Sequence, residues 1–420
     1  MKIAKRLTRL IEIDRLPPLY LNKSIITEEE WEQILSGQLP LTSTQAAHLA
    51  EWWGVPVSYF TDYDKNDLVT FRQLQLLQHA LLTNSSEAAD IVDQLDQPWR
   101  LSDVTQEVIF HLLKSIHLYK RNQQQEAERI ESDYLSIMLP AYNVLKESSV
   151  FQKALFYYYG VKYYSEGNRE ESFAYFERLL EKTKNPDEVI SIMQNLTLIL
   201  RDKKDYDQAI DYMKRLKAYS KEKESKRGLF VSWNLLGVLY MEKKLFPNAI
   251  YYFEKMGRLE LDPSSESQRQ HNLGILYCEL KKYPKALDRY HEAIRIVEEH
   301  DLAEGLFHGY LSLADIYLLL NDISAADIYQ QKAMRAAADD WEESLAKQMQ
   351  AEIFERTDIN RAIQVYEELI AYHETNQVKR KLDEIYPALS ALYEKRAKQI
   401  QDKYMKLHKP DAEECDSKNA

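Results

Sequence analysis

A chain of 420 residues is two to three times the usual domain length, and 10 Gly and 12 Pro against 29 Tyr and 29% charged residues imply long helices joined by short loops. A net charge of −12 excludes diffuse nucleic-acid binding by the whole surface but leaves room for a local basic patch. Cys278 and Cys415 are too few for a disulfide framework and lack metal-ligand spacing, and no apolar run approaches the roughly 18 residues a membrane span needs.

The first helix is KIAKRLTRLIEI, with Ile3, Leu7, Leu10 and Ile11 on one face. Its basic residues are threaded through the apolar ones and no small-residue cleavage site follows, so it does not read as a secretory signal. A Leu16-Pro17-Pro18 turn and a short apolar piece come next. Thr27 caps TEEEWEQIL, Glu30 completes a capping box, and Ser36-Gly37 ends that helix. TSTQAAHLAEWWGV forms another helix, closing at Gly54.

The order LSGQLPLTSTQAAHLAEWWGVPVSYF, with Gly37, Pro40, Ala46, Ala47, Leu49, Ala50, Gly54, Val55, Tyr59 and Phe60 at its marked places, resembles the second half of a Cro-type (XRE-family) helix-turn-helix domain. The resemblance covers about 60 residues and implies a DNA-binding domain over residues 1–66. Lys2, Lys5, Arg6, Arg9, Lys23, Thr27 and Gln33 are then the expected contacts to double-stranded DNA. The sequence departs from the family where DNA would be touched. Leu16-Pro17-Pro18 stands where a Thr-Gln-type start is usual, and the recognition helix offers Glu28, Glu29, Glu30 and Glu32, which repel phosphate. Residues 1–60 hold six basic and seven acidic residues, a net charge of −1, where DNA-binding domains gain most of their affinity by neutralising phosphates.

From Leu68 onward a repeat sets the architecture. The segment WNLLGVLYMEKKLFPNAIYYFEKM carries Leu236, Gly237, Tyr240, Ala249 and Phe253 at tetratricopeptide spacing, and HNLGILYCELKKYPKALDRYHEAI supplies Leu273, Gly274, Tyr277, Ala286, Tyr290 and Ala293. The small residues mark where two antiparallel helices approach most closely. In the second helix of successive units they are Ser172, Ala209, Ala249, Ala286, Ala326 and Ala362, separated by 37, 40, 37, 40 and 36 residues against about 34 in a standard repeat. Weaker copies surround Ala127 and Ala88, and Pro186 and Pro263 are read as stopping the preceding helices. The expected fold is all-α: an N-terminal helix-turn-helix bundle, then a right-handed tetratricopeptide solenoid over 67–407 and a disordered tail at 408–420.

Domain order resembles the RRNPP group of peptide-sensing regulators, with NprR-like and PlcR-like members nearest in plan. That resemblance implies a cytoplasmic homodimer that binds a short signalling peptide on its concave repeat surface and thereby changes DNA affinity or partner choice. An extended peptide exposes backbone donors and acceptors, and Asn serves both. Asn195 and Asn272 fall one residue before the Leu of their units and Asn234 one place earlier, on first helices. Tyr158, Gln194, Arg201, His271 and Asp315 are further peptide-contact candidates. The C-terminal segment from Ile385 to Leu407 is expected to cap the array or join a dimer.

No phosphate loop, nucleophile elbow or paired metal-spaced His is present; His111 and His117 lie six apart. The expectation is a non-enzyme without catalytic residues, metal or cofactor. The alternative to a DNA-binding regulator is a repeat adaptor that sequesters a protein partner, such as a response regulator, and keeps only a degenerate helix-turn-helix.

Overall fold

The computed structural model describes residues 2–14, 25–97, 99–302, 305–376 and 378–407, and every regular element within them is a helix. Lys23, the Leu16-Pro17-Pro18 turn, Cys415 and the expected tail lie outside the described residues.

Four helices begin the chain: α1 (Lys2–Asp14), α2 (Glu28–Leu35), α3 (Ser43–Trp53) and the single turn α4 (Ser58–Thr61). The predicted capping box is present, with the Glu30 backbone N–H donating to Thr27 Oγ1 and the Thr27 N–H to Glu30 Oε2. A second box, unforeseen, starts α3 with Thr42 and Gln45. Gly54 ends α3 at φ +64°, a left-handed conformation that favours glycine. Ile3, Leu7, Leu10, Trp31, Ile34 and Leu49 meet in one core with Tyr59 and Phe60. The apolar face read from the first helix is therefore the buried one.

The repeats follow as α5 (Leu68–Thr83), α6 (Glu87–Leu95), α7 (Val104–Lys120), α8 (Gln124–Ile130), α9 (Ser136–Met138), α10 (Ser149–Ser165), α11 (Arg169–Lys182), α12 (Pro186–Asp202), α13 (Tyr206–Glu222), α14 (Lys226–Glu242) and α15 (Phe246–Met256). They continue as α16 (Pro263–Glu279), α17 (Tyr283–Glu299), α18 (Leu306–Leu319), α19 (Ile323–Ala336), α20 (Asp340–Thr357), α21 (Ile359–Thr375) and α22 (Lys379–Leu407). One turn of π-helix, Glu131–Leu135, separates α8 from α9, and two 3-10 turns, Leu139–Ala141 and Val144–Lys146, precede α10.

All six small residues predicted at the close approach, from Ser172 to Ala362, have no exposed surface. Ala127 is equally buried and Ala88 nearly so, which places the weak copies in the same scheme. Pro186 and Pro263 are corrected: each stands at the first position of its helix, where a missing N–H costs nothing, and opens α12 or α16.

The chain divides into two compact units, Met1–Leu239 and Tyr240–Ala420. The expected boundary near residue 66 therefore falls inside the first unit. α1 packs there against α7 and α9, so the first four helices share a unit with the early repeats. In the second unit Tyr290 and Ile294 of α17 meet Leu313 and Ile316 of α18, and α22 closes the array by laying Ile385, Leu389 and Leu392 on Tyr366 and Leu369.

Candidate functional site

Two places in the molecule gather polar chemistry. The first is the seat of α1. Arg6 is 1% exposed, its guanidinium 3.9 Å from the centre of the Tyr59 ring. It donates to Glu107 Oε2 of α7 from Nη2 (2.7 Å) and Nε (3.2 Å), and to the carbonyls of Tyr59, Leu101 and Ser102. Tyr59 Oη donates to the other carboxylate oxygen at 2.9 Å. Burial, the largest single influence, would raise the Glu107 pKa, yet the charge and hydrogen bonds of Arg6 together with His111 and Arg9 hold the carboxyl below its usual range. His111, one turn further along α7, is pushed down to about 4 by burial against the opposing pull of Glu107. An ion pair this deep is satisfied only while both partners stay in place.

Two further basic residues of α1, Lys2 and Arg9, are drawn to the same body. Lys2 Nζ donates to Thr105 Oγ1 at 2.8 Å, and Arg9 Nε donates to the Asp133 carbonyl while its guanidinium lies over the Tyr134 ring. The expectation that Arg6 contacts DNA is corrected, because its charge is enclosed and consumed by Glu107. Lys2 and Arg9 are likewise engaged with α7 and the π-helical turn, and Lys5 is half-buried. On α2, Thr27 is exposed and Gln33 half-buried, and the outward residues are Glu28, Glu29 and Glu32. Sequence reasoning missed Glu107 and Tyr59, although a lone Glu in the apolar run of α7 was an available clue.

The second place is the run of first helices. In the first unit Glu188 of α12, 6% exposed, accepts from Lys153 Nζ of α10 at 2.6 Å and lies 3.3 Å from His79 Nδ1 of α5. Three first helices are thus tied by one carboxylate. Gln194 and Asn195 lie half-buried on α12, and Arg201 is half-buried near its end. Two candidates are corrected here. Tyr158 is 1% exposed, and Asn234 is buried at 8% exposure, so neither offers its polar end to a ligand on an open face.

In the second unit α16, α18, α20 and the start of α22 present His271, Ser312, Asp315, Gln348, Glu352 and Lys381. His271 Nε2 and Ser312 Oγ pair at 2.9 Å, and burial lowers the His271 pKa to about 4, so this histidine is neutral and already engaged. Asn272 beside it is half-buried. Asp315 is exposed, though the surrounding walls raise its pKa by desolvation. Burial also raises the Glu352 pKa, and Asp315 adds to the effect. Lys381 Nζ donates to Gln348 Oε1 at 3.0 Å and to Glu384. Tyrosines sit mainly in helix contacts. Tyr290 occupies the space beside Gly274, where an added Cβ would come within 2.5 Å of its ring.

Residues 268–300 and 307–340 match the tetratricopeptide repeat family. The chain carries tetratricopeptide repeats. No curated protein matches the sequence. Among solved structures, the apo quorum sensor NprR from B. thuringiensis is similar over 80% of this chain and 96% of its own, with 14% identity and a TM-score of 0.52. A Rap protein complexed with Competence and Sporulation Factor covers 79% of this chain and 100% of its own at 16% identity and a TM-score of 0.46. Bacillus thuringiensis PlcR, in complex with the peptide PapR7 and DNA, covers 89% and 98% at 11% identity and a TM-score of 0.31. The likeness to NprR establishes the all-helical repeat fold. Among the described residues no helix is long and apolar enough to cross a membrane.

Proposed function

We propose that the chain is a cytoplasmic, peptide-responsive regulator whose repeats bind a short peptide along their first helices and whose N-terminal helices deliver the output. The observation that carries this is the buried Arg6–Glu107 pair, which fastens α1 to α7, a first helix of the repeats. Repeat arrays are built from nearest-neighbour contacts and respond to a ligand by small changes in packing. A shift of α7 therefore reaches α1 directly. The likeness to a quorum sensor supports a peptide as the ligand. Gln194 and Asn195, both half-buried on α12 of the first unit, supply amides for an extended backbone.

For the output, the geometry favours a protein partner over DNA. α2 turns Glu28, Glu29 and Glu32 outward, while Arg6, Lys2 and Arg9 face the body of the unit. Such a surface repels phosphate and suits a basic patch on another protein. The DNA-binding reading, with residues 1–66 as an XRE-type domain, is favoured by the helix order that closes at Gly54. Fluorescence anisotropy with DNA from upstream of the gene, titrated against salt, separates the two. The expected result is no saturable binding; tight binding with a steep salt slope overturns the assignment.

The same reading takes the protein as a homodimer joined through α22. Tyr386, Tyr393 and Ile400, at seven-residue spacing, form an exposed stripe beside the face that caps the array, with the Tyr386 and Tyr393 hydroxyls donating to Glu374 and Glu367 of α21.

A further inference from the structure

The first unit has an open cavity of about 770 Å³ that the regulator reading does not use. It lies between the π-helical turn with the two 3-10 turns on one side and α10 with α11 on the other. Its walls are apolar and aromatic, with Leu135, Leu139, Phe151, Leu155, Tyr158 and Tyr159 among them. The volume falls within the range of small-molecule sites, roughly 300–1,000 Å³. On the turn above it Leu145 is 87% exposed, an apolar side chain with almost nothing over it.

The rim is charged unevenly. Glu131 on one wall is neutralised by Lys162. Opposite, Arg178 and Lys182 are exposed, and neither enters an ion pair among the described residues. The Arg178 guanidinium rests 4.8 Å from the centre of the Tyr175 ring, a contact that leaves its N–H groups available. Glu181 is the one unneutralised acid at this edge. Two cations against one carboxylate, above an apolar chamber, match an amphipathic anion.

The wall of this chamber is also the seat of α1. Arg9 bonds to the Asp133 carbonyl and covers Tyr134, and Lys2 Nζ lies 4.7 Å from the centre of the Tyr142 ring and 3.9 Å from Glu147. Tyr142 in turn stacks on Phe151 inside the chamber, with ring centres 4.9 Å apart. Segment 131–147 therefore has α1 on one side and the cavity on the other. A π-helical turn is rare and recurs at functional sites.

We propose that this cavity binds a small amphipathic acid, a linear apolar tail bearing one carboxylate, and that α1 senses its presence through segment 131–147. The tail lies along Leu155 and Phe151, and the carboxylate meets Arg178 and Lys182. The site is distinct from the proposed peptide-binding residues of α12, because its charged edge, Arg178 and Lys182, stands on α11, a second helix.

Calorimetric titration of the full chain with dodecanoate, dodecanol and acetate tests the binding, and hydrogen exchange with and without dodecanoate tests the coupling. Dodecanoate is expected to saturate one site, with acetate silent and dodecanol weaker by about ten-fold, the worth of one charge-assisted contact. Arg178→Glu, on an exposed position that leaves the fold intact, weakens dodecanoate by at least about ten-fold. Bound dodecanoate slows exchange in α10 and segment 139–146 and alters it in α1. No saturable binding overturns the site. Equal binding of dodecanol, or full binding by the Arg178→Glu chain, overturns the carboxylate assignment, and unchanged exchange in α1 overturns the coupling.

Discussion

Arg6 shows how far a residue's role depends on what packs against it. In sequence it is one of four cations on a basic amphipathic helix, and phosphate is the natural partner. In the folded chain it is enclosed by Glu107, Tyr59 and three carbonyls, and its charge serves the seating of α1. Glu107→Leu leaves that guanidinium buried without a counter-charge and is expected to cost the first unit about 3–5 kcal/mol, read as a lower urea midpoint. A loss no greater than that of a surface substitution contradicts the geometry. pH has a defined sign here. His111 is held near 4, so its contribution is complete above the ordinary histidine value of about 6.5 and is lost as pH falls toward 4. Glu107, with its pKa lowered, adds stability that is lost at still lower pH. The urea midpoint of the first unit is therefore expected to fall between pH 6.5 and 4, and His111→Leu flattens the upper part of that window.

At the scale of the element, most of the fold was legible because helix ends and helix contacts leave local marks. Thr27 with Glu30 and the left-handed Gly54 announced two helix ends, and the rhythm of small residues located six second helices by burial alone. Gly274 marks the same rhythm on a first helix. Gly274→Ala drives a methyl group into Tyr290 and is expected to destabilise the second unit by about 1–3 kcal/mol in thermal unfolding, with Tyr290→Leu relieving part of the loss. The π-helical turn and the two 3-10 turns were not legible, since an extra residue per turn changes no residue type and the cavity beneath them is made by non-local packing. Nor were the buried states of Tyr158 and Asn234, because tetratricopeptide spacing gives the register of a helix but not how closely its neighbours approach. α22 carries the prediction for assembly. Replacing Tyr386 and Tyr393 by Lys, which still pairs with Glu374 and Glu367, and Ile400 by Glu keeps the face of Ile385, Leu389 and Leu392 on α21, so light scattering is expected to report half the mass. An unchanged mass removes this helix from any dimer contact.

For the whole molecule, composition and repeat period led to the all-helical array, which the likeness to NprR matches, but the partner proposed for the N-terminal helices changed. The order of residues through Phe60 indicated a DNA-binding domain, whereas the fold turns Lys2, Arg6 and Arg9 of α1 inward and Glu28, Glu29 and Glu32 of α2 outward. Charge that is consumed inside a fold cannot be told from charge that is displayed until the neighbours are known. The two units also divide at Leu239, where no composition shift marks a boundary. The proposed function holds a peptide on the first helices, with α1 as the element that reads it. The most direct test is fluorescence anisotropy of labelled short peptides encoded beside the gene, titrated with the full chain and with the Gln194→Ala, Asn195→Ala double variant. The account predicts saturable binding of one peptide and a loss of about ten-fold or more in the variant, as expected when two amide contacts to a backbone are removed. Absence of saturable binding by every such peptide, or equal affinity in the variant, contradicts it.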